Sequence, residues 1–111
     1  MPLFFLFAAL CLSSTTLAAE SGMVKFQGRV MELDLKNNTM SVNEKTIVWD
    51  THTTFHNEKG VSIKVESLGV RTWVYIVGVS ADKKIVAKKI YLIPKHIYQK
   101  ERYRYPFMEE D

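Results

Sequence analysis

Apolar and polar residues alternate along residues 24–35, and the alternation changes phase in the middle. Apolar side chains stand at positions 24, 26 and 30 in the first half and at positions 31, 33 and 35 in the second. A two-residue period predicts a β-strand, and a change of phase beside Gly28 predicts a bulge or a sharp coil in that strand. A long, bent first strand that serves two sheet faces is typical of a small closed barrel.

Short segments rich in β-branched and aromatic residues follow, and turn-forming residues separate them. We predict strands over residues 40–42, 46–50, 61–65, 72–79 and 85–93, with a loop over residues 51–60. Residues 72–79 are apolar on both faces, which predicts the central strand of the sheet. The expected fold is all-β: a small five- or six-stranded OB-like barrel with a short non-strand C-terminal tail.

The first 19 residues carry no charged side chain and include an apolar run at residues 3–12. Such a run is too short to span a bilayer, and small residues follow it, as in a signal peptide. A buried N-terminal helix and an uncleaved membrane anchor are the alternatives. The lone cysteine, Cys11, lies in this segment, so the mature chain would have no disulfide.

This division predicts a signal peptide at residues 1–19, an OB-like barrel domain at residues 20–93 and a basic and aromatic tail at residues 94–111. The protein is accordingly predicted to be periplasmic or secreted, with no stable membrane span after cleavage.

The stretch over residues 28–90 contains several short motifs in a fixed order. They are Gly28-Arg29-Val30, Leu33-Asp34, Thr51-His52-Thr53, the pattern of Leu68, Val74, Ile76 and Gly78, and Ala87-Lys88-Lys89-Ile90. This order resembles a family of exported bacterial small β-barrel domains, OB-fold-like and of unknown function. The sequence departs from that family at Arg71-Thr72, where the family usually has Gly-Asp. The resemblance implies a fold and assigns no functional residue.

Candidate catalytic and metal-binding residues are few. Asp50, His52 and His56 form D-x-H-x-x-x-H, but in an extended chain the two imidazoles would lie about 13 Å apart. Glu32 and Asp34 lie two residues apart on one strand face, and a solvated strand face explains them without a catalytic role. The sequence has no nucleophile elbow and no phosphate-binding glycine loop. We therefore predict a non-enzymatic protein with no metal site and no cofactor. A metal-handling protein that uses His52, His56 and His96 is the least favoured alternative.

Two aromatic residues, Trp73 and Tyr75, share a face of the predicted central strand. They are candidate ligand-stacking residues, since exposed aromatic rings on an OB barrel stack on bases or sugars; the alternative is that they fill a core. The net charge of +3 is modest for nucleic-acid binding, and we predict no nucleic-acid partner.

The tail interleaves basic and aromatic residues and shows no β alternation. Arginine and tyrosine dominate the energetics of many interfaces. The tail is therefore either an adhesive arm for a partner or a short helix packed on the barrel. The predicted partner-binding residues are Tyr98, Arg102, Tyr103, Arg104, Tyr105 and Phe107.

Together these features predict an exported small β-barrel binding or interaction module of the bacterial cell envelope, which holds a protein or glycan partner. A structural accessory of an envelope assembly is the alternative from a different functional class. The sequence leaves the partner's identity and the oligomeric state open.

The leader generates the first testable prediction. Cleavage after Ala18 or Ala19 gives a mature protein that begins at Ala19 or Glu20, which N-terminal sequencing of protein from the cell envelope checks. A cytoplasmic protein that retains Cys11 would contradict export.

Overall fold

The computed structural model describes residues 22–108. The predicted signal peptide and the acidic residues 109–111 lie outside the described residues. The described residues form three short 3₁₀ turns, at Val65–Ser67, Gln99–Arg104 and Pro106–Met108. The strands are β1 (Met23–Asp34), β2 (Thr39–Val42), β3 (Lys45–Val48), β4 (Thr54–His56), β5 (Trp73–Ala81) and β6 (Lys84–Ile93).

Five of the strands close into a barrel in the order β1-β2-β3-β6-β5 and back to β1. Strands β3 and β6 pair in parallel, and the other neighbours in the ring are antiparallel. The structure therefore confirms the predicted all-β, OB-like barrel. The remaining strand, β4, pairs in parallel with the second half of β6.

Strand β1 is the long, bent strand that the alternation predicts. Residues 23–29 pair with β5, and residues 30–34 pair with β2, with a register shift between Val30 and Glu32. The shift places Met31 outside, with 57% of its surface exposed, although Val30 is fully buried. Gly28 suits the position beside the bend, because a Cβ there would lie 2.7 Å from the Cγ1 atom of Val42, which is fully buried.

Two local predictions between β3 and β5 are wrong. The predicted loop over residues 51–60 contains β4, a strand of three residues, since Phe55 pairs with Ile90 far along the chain. The predicted strand over residues 61–65 makes only an isolated bridge, between Ser62 and His56, before the chain enters the 3₁₀ turn at Val65–Ser67.

The interior of the barrel holds one apolar cluster, to which nearly every strand contributes. The fully or almost fully buried members include Val30, Val42, Ile47, Val74, Ile76, Ala87 and Ile90. Trp49 also belongs to this cluster and packs edge-on against Phe55, with ring centroids 5.8 Å apart.

A second apolar cluster covers the outer face of β5 and β6. Tyr75, Tyr91 and Ile93 supply its strand side, and Ile97 and Met108 supply its tail side. Strand β5 is thus buried on both faces and lies between β1 and β6, which confirms it as the predicted central strand. The outer face is buried because the tail lies on it.

Hydrogen bonds from Gln27 on β1 fix the start of the tail. The Gln27 side-chain Nε2 donates to the Ile97 backbone carbonyl oxygen at 2.9 Å, and the Gln27 side-chain Oε1 accepts from the Ile97 backbone amide at 2.7 Å. The Ile97 side chain is 1% exposed. One glutamine therefore satisfies both backbone groups of a buried tail residue that belongs to no strand.

The burial of β5 generates a prediction for Val74→Asp. An unpaired carboxylate in the barrel interior should lower the free energy of unfolding by about 4 kcal/mol or more. Circular dichroism and thermal melting check this. Val70→Asp is the matched control, since Val70 is 51% exposed and should tolerate the same change. Native-like melting of Val74→Asp would show that β5 is not central.

The Gln27 contact generates a prediction for Gln27→Leu. The substitution leaves the Ile97 amide and carbonyl unpaired at a buried position, which should cost about 1–3 kcal/mol. Trypsin should then cut faster after the basic residues of the tail, as mass spectrometry would show. Gln99→Leu, at an exposed tail position, is the control. Unchanged cleavage of Gln27→Leu would mean that the tail is held by other contacts.

Candidate functional site

The six predicted partner-binding residues do not form one surface. Tyr105 and Phe107 face the barrel and belong to the cluster on its outer face. Tyr98 and Tyr103 face solvent, with 58% and 67% of their surfaces exposed. Arg104 is also exposed. The tail therefore both packs on the barrel and presents side chains, which the sequence predicted as alternatives.

Phe107 is the main aromatic anchor of the tail. Its ring stacks on Tyr91 with centroids 3.9 Å apart and an interplanar angle of 5°, and it lies 5.8 Å from the Tyr75 ring. Tyr75 is only 6% exposed. A ligand cannot reach the Tyr75 ring while the tail is packed, so of the two candidate stacking residues only Trp73 remains accessible in part.

A chain of aromatic contacts connects Trp73 to the exposed part of the tail. The Trp73 and His96 rings meet edge to face with centroids 5.5 Å apart. His96 in turn meets Tyr98 edge to face at 4.7 Å. We call these three rings the aromatic ladder. It begins where β5 starts and ends at a tyrosine that is more than half exposed.

An ion pair holds the tail turn next to the ladder. Lys95 donates to both Glu101 carboxylate oxygens at 2.9 Å, and the Tyr98 amide donates to Glu101 at 3.4 Å. The Lys95 hydrogen bond, with help from the Tyr98 amide, lowers the pKa of Glu101 below its ordinary value. Glu101 therefore stays ionised and orients the turn that carries Tyr98.

Tyr103 and Arg104 form an exposed pair on the same 3₁₀ turn. The Arg104 Nε donates to the Tyr103 hydroxyl at 3.0 Å, and the guanidinium carbon lies 5.4 Å from the ring centroid. The hydrogen bond to Tyr103 raises the pKa of Arg104. The pair offers an aromatic surface beside a fixed positive charge. Arg102 is half-buried, and among residues 22–108 its Nε has no hydrogen-bond partner.

A groove of about 430 Å³ opens beside the ladder. It lies where the chain enters β5 and leaves β6. Its lining residues are Glu58, Arg71, Thr72, Trp73, Leu92, Ile93 and Pro94. Sequence reasoning missed Arg71, which lies two residues before Trp73, and Glu58, which comes from a loop that approaches Trp73 only in the folded chain.

The histidines and the paired acids lie elsewhere. His52 is exposed beside Asp50, whereas His56 stacks on Tyr91 at 4.8 Å and His96 is in the ladder. Within residues 22–108 no group of three or more His, Cys, Asp or Glu could hold a metal ion.

Glu32 and Asp34 line a shallow groove of about 340 Å³ together with hydroxyl-bearing residues of β2 and β3. The described residues that line this groove include no aromatic side chain, so it offers no stacking surface.

Comparisons of the chain with protein-family models, with curated proteins and with solved structures found no match. Over the described part of the chain, none of the helical segments is long and apolar enough to cross a membrane.

Proposed function

We propose that the protein is an exported, non-enzymatic binding module of the bacterial cell envelope that holds a protein or glycan partner on its tail. One observation carries the proposal. Tyr98 and Tyr103 are more than half exposed, although the tail that bears them is anchored to the barrel by buried aromatic and apolar side chains. Export itself rests on the uncharged apolar leader.

The exposure of Tyr98 and Tyr103 points to a binding role because the rest of the tail is anchored to the barrel. A tail that merely finishes the core would turn its large aromatic rings inward, as Tyr105 and Phe107 do. Two tyrosines held outward on an ordered turn lose little conformational entropy on binding, which favours affinity. Tyrosine and arginine are also enriched among the residues that dominate interface energetics. The Tyr103–Arg104 pair suits a partner that carries carboxylates or aromatic groups.

A structural accessory of an envelope assembly is the second candidate. The observation that favours it is the buried contact of the tail with Tyr75 and Tyr91, because this contact makes the tail part of the folded unit. In that case the exposed tyrosines would contribute little to capture of any partner. Substitution of the exposed residues separates the two functions, because it leaves the anchoring residues in place.

The proposal generates a prediction for the triple variant Tyr98→Ala, Tyr103→Ala, Arg104→Ala. The variant should melt within a few degrees of the unchanged protein, since all three residues are exposed. Its capture of the envelope partner should fall at least about tenfold, because each removed group is of a type that dominates binding energy. Pull-down from envelope extract followed by an affinity measurement on the recovered partner checks this.

The matched control is Lys36→Ala, Lys59→Ala, Val70→Ala, three exposed positions outside the tail. Binding by the unchanged protein should weaken as salt is raised, and Arg104→Ala alone should reduce that dependence. Equal capture by both triple variants would remove the tail from the binding surface and favour the structural accessory.

A further inference from the structure

Arg71, at the edge of the groove, adopts a backbone conformation that an arginine seldom takes. Its φ is +78°, in the left-handed region. Among the other positive-φ residues in the described chain, Asn38, Asn43 and Asp82 have short polar side chains that tolerate this region, whereas Glu44, at φ +64° in the β2–β3 turn, has a long side chain as Arg71 does but lines none of the grooves described above. An arginine has no such local compensation and is disfavoured there relative to glycine.

Backbone hydrogen bonds impose that conformation. The Arg71 amide donates to the Val30 carbonyl at 2.6 Å, and the Thr72 amide and hydroxyl both donate to the Gly69 carbonyl, at 3.2 and 2.6 Å. The fold therefore requires the turn but not the arginine side chain, and glycine would satisfy the same turn. A strained, exposed residue that lines a groove points to a use for its side chain.

The surroundings of Arg71 define what it could bind. Trp73 lies two residues on, and it pairs in register with Arg29 on β1 and with Ile93 on β6. The Arg29 side chain donates to the Arg71 carbonyl at 3.4 Å, so a second guanidinium lies nearby. Of the described residues that line the groove, Glu58 is the one with a carboxylate. Among the described residues, neither Arg71 nor Glu58 forms an ion pair, because the one described salt bridge joins Lys95 and Glu101.

We propose that this groove binds a carboxylate-bearing sugar of a glycan. The Trp73 indole stacks on the sugar ring, the Arg71 guanidinium donates to the sugar carboxylate, and Glu58 accepts hydrogen bonds from neighbouring hydroxyls. The inference rests on the proposed function, since it names the glycan as the partner class. A peptide with several acidic side chains suits the groove less well, because it has no ring hydroxyls from which Glu58 could accept hydrogen bonds.

The aromatic ladder connects the groove with the exposed part of the tail, since it leads from Trp73 through His96 to Tyr98. We expect a second sugar unit that extends from the groove on this side to meet the exposed Tyr98 ring. The volume of about 430 Å³ is within the range of small-ligand sites.

Fluorescence of Trp73 tests the proposal directly. The sequence has two tryptophans, and Trp49 is buried in the barrel interior, so Trp49→Phe leaves Trp73 as the reporter. A trimer of galacturonic acid should change the emission of this variant in a saturable way, whereas the neutral galactose trimer should bind at least about tenfold more weakly. Calorimetry on the unchanged protein gives the same comparison if Trp49→Phe folds poorly.

Arg71→Gly is the decisive variant, because glycine relieves the strain at this positive φ and removes the whole side chain, including the guanidinium. Its melting temperature should be equal to or higher than that of the unchanged protein, and its affinity for the galacturonic acid trimer should fall about tenfold or more. Asp82→Gly is the matched control: Asp82 also has positive φ, at +62°, but lies in the β5–β6 turn away from the groove, so it should leave affinity unchanged.

Equal binding of the acidic and neutral trimers, unchanged affinity of Arg71→Gly, or tighter binding of a triglutamate peptide would each overturn the proposal. Absence of sugar binding together with intact, tail-dependent capture of an envelope partner would reject the groove and leave the proposed function standing. Absence of both would reject both.

Discussion

The packing of residues 94–108 on the outer face of β5 and β6 is the contact on which the rest of the structure depends. Without it, Tyr75, Tyr91 and Ile93 would expose a large apolar surface, which a small soluble domain seldom tolerates. The described chain has no cysteine, so apolar packing and hydrogen bonds must hold it together. The Gln27 bonds to Ile97 begin the docking of the tail, and the stack of Phe107 on Tyr91 completes it.

This docking also explains how one short segment can anchor and present at the same time. The 3₁₀ turns at Gln99–Arg104 and Pro106–Met108 are short, and Ile97, Phe107 and Met108 pack them against the barrel. Because the anchors lie at both ends, the turn between them is held with Tyr103 outward. The presenting residues therefore need no core contacts of their own, and their exposure reflects the geometry of the anchors.

Local patterns predicted much of the barrel, and long-range contacts explain what they missed. The phase change near Gly28 predicted the bend of β1, and the stretch that is apolar on both faces predicted the central strand. Both patterns could be recognised because they involve residues that are close together in the sequence.

Strand β4 depends on pairing with Ile90, and the role of Gln27 depends on Ile97, 70 positions away. The groove likewise brings Glu58 to Trp73 only on folding. Tyr75 is buried, in agreement with the alternative that it fills a core. The sequence alone did not decide between the two alternatives, because the periodicity of β5 does not show what covers the outer face of the strand.

The candidate site lies at the margin of the outer face of β5 and β6, and the residues on the other surfaces of the barrel explain this position. OB barrels often bind ligands across the face of the second and third strands. Here the groove beside β2 and β3 is lined by Glu32 and Asp34 of β1 and by hydroxyl groups of β2 and β3, which offer hydrogen bonds without a stacking surface. The outer face of β5 and β6 has the aromatic rings, but the tail covers most of them. Trp73 lies at the margin of the covered area, where β5 begins and the tail departs from β6. Its indole is partly exposed there, next to the strained Arg71 and at the start of the aromatic ladder. Because the tail covers Tyr75 and Tyr91, a ligand can stack on this face of the barrel at its margin, beside Trp73.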